Sequence, residues 1–257
     1  MSPSSSKPTI LLIQGAFQLP EVYRKLTDAL GEKGYPTVHP PLPSITDDGD
    51  RPLGSKDLND DTLKIQQELK RLVEVESRTV IVLMHSYGGL VGSSGIPEEF
   101  SWSKRKEAGL GPGGVLHLFY FSAFVLPQNA SVLSVIGEGD GGEIRPGNRF
   151  RVKNAAEGLY SDLSRDEAEY WASKIVDQSY AVQETKMALA AYEYIPSTYL
   201  ICTNDKALPP EIQEVCAKTA GAKVLKIDSG HSPMLDRTEQ LVGIITTTVD
   251  QAVDQAV

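Results

Sequence analysis

Three residue types able to act together in covalent catalysis occur in the order Ser86, Asp205, His231. Ser86 lies in Val80-Ile81-Val82-Leu83-Met84-His85-Ser86-Tyr87-Gly88-Gly89-Leu90-Val91, where a strand-like apolar run leads into a serine, two glycines and a helix-like segment. This is the layout of a nucleophile elbow, a sharp strand-to-helix turn that raises a hydroxyl above a sheet and sets it at a helix N-terminus, where negative charge is favoured. Met84 stands where the G-x-S-x-G pattern has its first glycine; the strand must pack differently there, but the hydroxyl remains. A serine hydroxyl needs a base to take its proton, and the base needs an acid to orient it. His231, in Gly230-His231-Ser232-Pro233-Met234, is the candidate base, and Asp205, in Asp205-Lys206-Ala207-Leu208-Pro209, the candidate acid. Asp228 is the alternative acid, disfavoured because it is too near His231 in the chain to approach the ring from behind. The oxyanion of an acyl-transfer reaction needs two backbone N–H donors. The amides of Tyr87 and of Ala16, in Gln14-Gly15-Ala16-Phe17, are the candidates. His39, His85 and His117 lie in or beside strand-like runs and read as structural.

These residues need a frame that brings distant parts of the chain together. Short apolar runs with the character of strands buried on both faces recur at Thr9–Ile13, Pro36–His39, Thr79–Met84, Val115–Phe121, Thr198–Cys202 and Lys223–Ile227. Helical patterns alternate with them. Val22, Leu26, Ala29 and Leu30 share one face, as do Leu58, Ile65, Leu69 and Leu72, and later Leu241, Ile244, Ile245 and Val249. The repeated Asp-Gln-Ala-Val at the end reads as a fraying helix terminus. Alternating strands and helices predict an α/β fold with a doubly wound, mostly parallel sheet. The expected core is 8–127 plus 196–250, with a cap insertion over 128–195 above the C-terminal edge of the sheet. The cap reads as a Gly-rich stretch from Gly137 to Gly147 and then helical, with a helix start at Ser164-Arg165-Asp166-Glu167. A smaller insertion near 94–114 reads as a surface loop whose Lys104-Arg105-Lys106 run is solvated, and residues 1–7 as a loose tail. The cavity should form between sheet and cap, with Phe17, Tyr87, Phe124, Tyr160, Trp171 and Tyr192 as candidate walls.

Composition narrows the function classes. Lys and Arg number 25 against 34 Asp and Glu, a net charge of -9, which suits neither nucleic-acid phosphates nor an anionic membrane. No apolar run approaches the ~20 residues that span a bilayer, and the first residues do not resemble a secretory signal, so a soluble cytoplasmic enzyme is expected. Cys202 and Cys216 read as reduced buried thiols, and the four histidines are too scattered for a zinc site. A small-molecule substrate is the expected partner, with no metal or organic cofactor; a homodimer stays open.

At Ile13-Gln14-Gly15-Ala16-Phe17, His85-Ser86-Tyr87-Gly88-Gly89, Ser122-Ala123-Phe124-Val125-Leu126-Pro127, Pro196-Ser197-Thr198-Tyr199, Asp205-Lys206-Ala207-Leu208-Pro209 and Gly230-His231-Ser232-Pro233-Met234 the chain resembles the α/β-hydrolase superfamily. Within it, the resemblance is to the group of plant methyl esterases, hydroxynitrile lyases and their fungal relatives. The resemblance spans about 8–250 and implies Ser86 as nucleophile, His231 as base, Asp205 as acid, and Ala16 and Tyr87 as amide donors. The chain departs from the group at Gln14, where a histidine is usual. Hydroxynitrile lyases of the group carry a threonine at the position of Gly15 and a lysine at that of Ser232, so the resemblance favours ester hydrolysis over cyanohydrin cleavage. The expected activity is cleavage of a small carboxylic ester or lactone through an acyl-enzyme on Ser86. A lyase or cyclase reaction on a natural-product intermediate is the alternative, and a ligand-binding protein without catalysis a third reading.

Overall fold

The computed structural model describes residues 7–46 and 51–256. Of the expected tail, residues 1–6 lie outside the described residues, whereas Lys7 is held with its ammonium 4.0 Å from the centre of the Tyr35 ring. In chain order, β1 (Thr9–Ile13), α1 (Arg24–Glu32), β2 (Thr37–Val38), α2 (Leu58–Leu69), β3 (Thr79–His85), α3 (Gly88–Gly95), α4 (Trp102–Glu107) and β4 (Gly114–Phe121) come first. A run of short elements follows: α5 (Val132–Ile136), β5 (Gly142–Arg145), β6 (Arg149–Val152), α6 (Ala155–Leu159), α7 (Arg165–Ser173), β7 (Gln178–Ser179) and α8 (Ala181–Glu184). The chain ends with β8 (Ser197–Cys202), α9 (Pro210–Thr219), β9 (Lys223–Ile227), α10 (Pro233–Asp236) and α11 (Thr238–Ala256).

β2-β1-β3-β4-β8-β9 form a six-stranded parallel sheet in that order. Alternation along each strand feeds two cores. Leu11, Ile13, Val80, Val82 and Met84 enter one, and Ile10, Leu12, Ile81 and Leu83 the other, all at most 1% exposed. Burial on both faces is why β1 and β3 read as continuous apolar runs rather than as alternating ones. From β1 the chain steps outward to β2 and then returns to the other side of β1 as β3. Strand order reverses there, and a crevice opens at the carboxyl ends of β1 and β3, the usual place for a ligand in a doubly wound sheet. Ala16 follows β1 and Ser86 follows β3.

Helix starts follow local chemistry. Asp57 caps α2, accepting from the amides of Asn59 (2.8 Å) and Asp60 (3.3 Å), while Asp60 returns a bond to the Asp57 amide. Ser164 caps α7, as expected, by accepting from the Glu167 amide.

Four expectations change. β9, read as covered on both faces, is an edge strand exposed at Lys223, Val224 and Lys226. The segment after β4 is not a Gly-rich stretch followed by helices alone: β5, β6 and β7 make a three-stranded antiparallel sheet. Pro146-Gly147-Asn148 forms the β5–β6 turn, with Gly147 at φ 80 and Asn148 at φ 57, and it separates strands of alternating polarity. The Lys104-Arg105-Lys106 run is not wholly solvated. Arg105 is buried, donating to the carbonyls of Gly113 (3.2 Å) and Leu110 (3.3 Å), which ties α4 to the loop entering β4. The last helix does not fray at the first Asp-Gln-Ala-Val: Ala252 is buried, and α11 runs to Ala256, whose carbonyl accepts from Lys106 Nζ. Cys202 and Cys216 are both free and buried.

Candidate active site

Ser86 sits at the end of β3 with φ 52, in the left-handed region that costs a non-glycine residue about 1–3 kcal/mol. The surroundings enforce that turn. The Ser86 carbonyl accepts from the amides of Gly89 and Phe124, both at 3.0 Å. A side chain at Gly88 would run into the Ile13 carbonyl, so α3 can pass this close to β1 only with glycine there. Met84 is accommodated from the next turn of the helix, because a Cβ on Gly92 would collide with the Met84 sulfur. The glycine missing at 84 is in effect displaced to 92.

His231 lies in the loop after β9. Its Nδ1 is 2.9 Å from Asp205 Oδ2 and 3.1 Å from Oδ1. A carboxylate only accepts, so the neutral ring carries its proton on Nδ1 and leaves Nε2 with a lone pair. Asp205 is held by four further bonds. Its Oδ1 accepts from the Ala207 and Leu208 amides, both at 2.9 Å, and its Oδ2 from Ser122 Oγ and from Gln213 Nε2 at 3.1 Å. Burial pushes the Asp205 pKa up, but the attraction and hydrogen bond of His231, with those of the Leu208 amide and Ser122, outweigh it and hold the group below its ordinary value. Asp228, the alternative acid, is exposed and accepts from Asn204 Nδ2 at 2.7 Å instead.

Ser86, His231, Ala16 and Tyr87 all line one cavity of about 250 Å³. No hydrogen bond joins Ser86 to His231 among the described residues; such bonds commonly tighten only when substrate is bound. The loop of Ala16 is held from behind. The Gly15 amide donates to Tyr23 Oη at 2.8 Å, and Tyr23 Oη is 2.7 Å from His85 Nδ1. His85 Nε2 is 2.8 Å from the His231 carbonyl, which only accepts. Burial and the nearby His231 lower the His85 pKa to about 3, so His85 is neutral and protonated on Nε2, and its bare Nδ1 shares the one Tyr23 hydroxyl proton with Gln18 Oε1, which is 2.8 Å from Tyr23 Oη. One chain of bonds thus joins the loop after β1 to the loop that carries His231. Gln14, at the position where the group usually has histidine, donates from Nε2 to the Gln18 carbonyl at 2.6 Å and stiffens the same turn. His39 and His117 lie elsewhere, each lowered to about 4, chiefly by burial.

Of the six candidate wall residues, Phe17, Tyr87 and Phe124 line the cavity and Tyr160, Trp171 and Tyr192 do not. Tyr160 is buried with its hydroxyl 3.3 Å from Gln18 Nε2, Trp171 packs edge-on against Tyr170, and the Tyr192 hydroxyl donates to the Leu126 carbonyl. The roof comes instead from the small elements after β4, including Val132, Ile136, Phe150, Val152, Leu159 and Gln178. Phe150 meets Phe17 across the cavity with ring centres 5.8 Å apart. The alternation Arg149-Phe150-Arg151-Val152 after Pro146-Gly147-Asn148 is a sequence signal of this strand, but it lasts only four residues. Tyr23, Asp61, Ser122 and Gln213, which hold the site from behind, carry no comparable local signal. Among the described residues no group of three or more His, Cys, Asp or Glu could hold a metal ion, and no helix is long and apolar enough to cross a membrane.

Comparison with known proteins agrees with this architecture. The alpha/beta hydrolase family profile matches residues 10–244, and the chain belongs to that family. It is 26% identical to the alpha/beta hydrolase nvfD of Aspergillus novofumigatus over 96% of this chain and 99% of that protein. It is 27% identical to the probable hydrolase R7 of a Phoma species over 93% and 97% respectively. Among solved structures, the pyrethroid hydrolase of Sphingobium faniae superposes with a TM-score of 0.71 at 20% identity, covering 95% of this chain and 97% of that one. The methylesterase MES16 of Arabidopsis superposes with a TM-score of 0.72 at 16% identity, covering 95% and 99%. Polyneuridine aldehyde esterase superposes with a TM-score of 0.72 at 18% identity, covering 94% and 99%. At these identities the superpositions establish the shared fold, and the plant esterases are among its structural neighbours.

Proposed function

We propose that the protein is a serine hydrolase that cleaves a small carboxylic ester or lactone through an acyl-enzyme on Ser86. The observation that carries this reading is a buried Asp205–His231 pair, 2.9 Å apart, whose His231 lines the same cavity as a serine held at φ 52. In this mechanism His231 Nε2 takes the Ser86 proton as Oγ attacks the substrate carbonyl carbon. The Ala16 and Tyr87 amides hold the resulting oxyanion. His231⁺ then protonates the leaving oxygen as the C–O bond breaks, and the alcohol departs, or stays tethered in a lactone. Water attacks the acyl carbon while His231 takes its proton, and the acid leaves as Ser86 is regenerated. Asp205, kept ionised, stabilises the imidazolium in both halves. The names of the relatives, hydrolases and esterases, support the same class.

The test is release of nitrophenol from acetyl, butyryl and octanoyl esters by the unmodified protein and by Ser86→Ala, with mass spectrometry for an acyl adduct. The expected result is hydrolysis that favours the shorter chains, as a cavity of about 250 Å³ requires, and a loss of about a thousandfold or more in the variant. Equal rates in both proteins would remove Ser86 from the chemistry. A natural substrate that is turned over with no acyl adduct and no water incorporated would replace hydrolysis with the lyase or cyclase alternative.

A further inference from the structure

Gln178 opens β7, is 0% exposed and lines the cavity that holds Ser86 and His231. Its Oε1 has no hydrogen-bond partner among the described residues, although it is buried. A buried acceptor left without a donor is costly and uncommon in a native structure, so its place on a ligand-sized cavity calls for an explanation.

The orientation of that amide follows from a proton inventory. Asp61 on α2 is 0% exposed and accepts from the Ser44 amide at 2.8 Å, from Ser44 Oγ at 2.6 Å and from Tyr87 Oη at 2.6 Å. Ser44 therefore spends its one hydroxyl proton on the carboxylate, and its oxygen can only accept from its next neighbour. That neighbour is Gln178 Nε2 at 3.1 Å. The amide must turn its NH₂ to Ser44, which leaves the oxygen without a protein donor. The rest of the cavity wall is largely apolar, with Phe17, Leu90, Phe124, Val132 and Phe150 around it.

We propose that Gln178 Oε1 accepts a hydrogen bond from a hydroxyl or N–H of the substrate, so the site takes an ester or lactone that carries a donor group on an otherwise apolar body. The subsite stands on its own geometry; calling its ligand an ester or lactone rests on the hydrolase reading above.

The experiment separates the two. Binding is measured by calorimetry to full-length Ser86→Ala protein, which cannot form the acyl adduct. The probes are matched pairs: nitrophenyl 2- and 3-hydroxybutyrate against nitrophenyl butyrate, and hydroxybenzyl butyrates against benzyl butyrate. At least one hydroxylated member is expected to bind about 10- to 100-fold tighter than its parent. Adding Gln178→Met should bring that ratio to about one. Adding Asp61→Asn instead should reverse the hydrogen-bond polarity: with its oxygen kept on the Ser44 amide, the introduced NH₂ would donate to Ser44 Oγ and Tyr87 Oη, and the freed Ser44 proton would turn the Gln178 amide over. Nitrophenyl 3-oxobutyrate should then gain over the hydroxy ester. Circular dichroism checks the fold of each variant, and the comparison without either change does not depend on them. A ratio near one for every pair, or a preference that survives Gln178→Met, overturns the proposal. Failure of the unmodified protein to hydrolyse any ester would count against the hydrolase reading and leave the binding ratios to decide the subsite.

Discussion

Two buried carboxylates support opposite sides of the cavity, Asp205 beyond the end of β8 and Asp61 on α2, and their pKa values move in opposite directions. Asp205 accepts four hydrogen bonds besides that of His231, and it has a partner able to become a cation. The imidazole and those donors hold its pKa below the ordinary value despite burial. Asp61 accepts three hydrogen bonds, all from neutral groups, and burial raises its pKa to about 6 against the lowering pull of Ser44 and Tyr87. At Asp61 the hydrogen bonds do not offset burial, whereas at Asp205 a larger set of donors together with the neighbouring imidazole does. The Asp205 region therefore keeps its carboxylate charged, as the proposed mechanism requires. The Asp61 region reaches the roof through Ser44 and Gln178 and sets hydrogen-bond polarity rather than holding a charge pair.

The largest effect should come from breaking the first pair. Asp205→Asn keeps the side-chain shape but cannot hold the His231 proton on Nδ1 in the same way. On the proposed mechanism kcat on nitrophenyl butyrate should fall about 10³- to 10⁴-fold with little change in KM. Asp228→Asn, which alters only an exposed contact to Asn204, should leave kcat within about twofold. The reverse ranking would hand the role to Asp228. Next in size is Tyr23→Phe. It removes the acceptor of the Gly15 amide and the hydroxyl that bonds Gln18 and His85, loosening the loop of Ala16, and should lower kcat about 10- to 100-fold. An unchanged kcat would show that the loop is held well enough without that hydroxyl.

This ranking also marks what could be read from the chain. The elbow was legible because an apolar strand, a serine and two glycines are consecutive. His231 and Asp205 were legible because each follows a strand-like run, and such loops converge at one edge of a parallel sheet. Tyr23, Asp61 and Ser122 were not, since each is a lone polar residue whose partner lies 62, 26 and 83 positions away, and no local period reports that. The roof was misread for another reason. Its strands are only two to four residues long, too short for alternation to stand out beside the glycines that flank them. Tyr160, Trp171 and Tyr192 do belong to the segment expected to cover the sheet, but each has other packing or hydrogen-bond partners.

The two acids should also bend the pH–stability curve in opposite directions. Asp61 titrates near 6 in the folded protein against 3.8 in an ordinary environment, so the fold favours its protonated form. Its contribution is full below 3.8 and is lost as pH rises through about 6, on the order of 3 kcal/mol for a shift of this size. Asp205, with a lowered pKa, contributes above 3.8 and loses that contribution as pH falls through its folded value. Denaturant melts of Asp61→Asn and of the unmodified protein between pH 4 and 7 should converge at the acid end. The variant should gain relative stability toward neutrality. A difference curve that is flat across that range would mean Asp61 is ionised in the fold throughout.

The smallest effect tests the roof itself. Asp177, just before β7, faces Arg145 at 3.1 Å, Arg151 at 2.5 Å and Arg149 at 3.7 Å. It pins the β5–β6 hairpin, and with it Phe150, to the strand that carries Gln178. Burial raises the Asp177 pKa less than the hydrogen bonds of Arg151 and Arg145 lower it. The arginine side chains are 34–42% exposed, so solvent screening limits each pair to about 1 kcal/mol or less. Asp177→Ala should therefore lower Tm by only about 2–4 °C, with a smaller shift in high salt. Its kinetic mark should be a rise of about two- to fivefold in KM with kcat nearly constant, since on the proposed mechanism the roof would supply uniform binding and the Asp205 region transition-state stabilisation. A fall in kcat at constant KM would mean the hairpin sets the geometry of Ser86 or His231, and the division between the two regions would have to be given up.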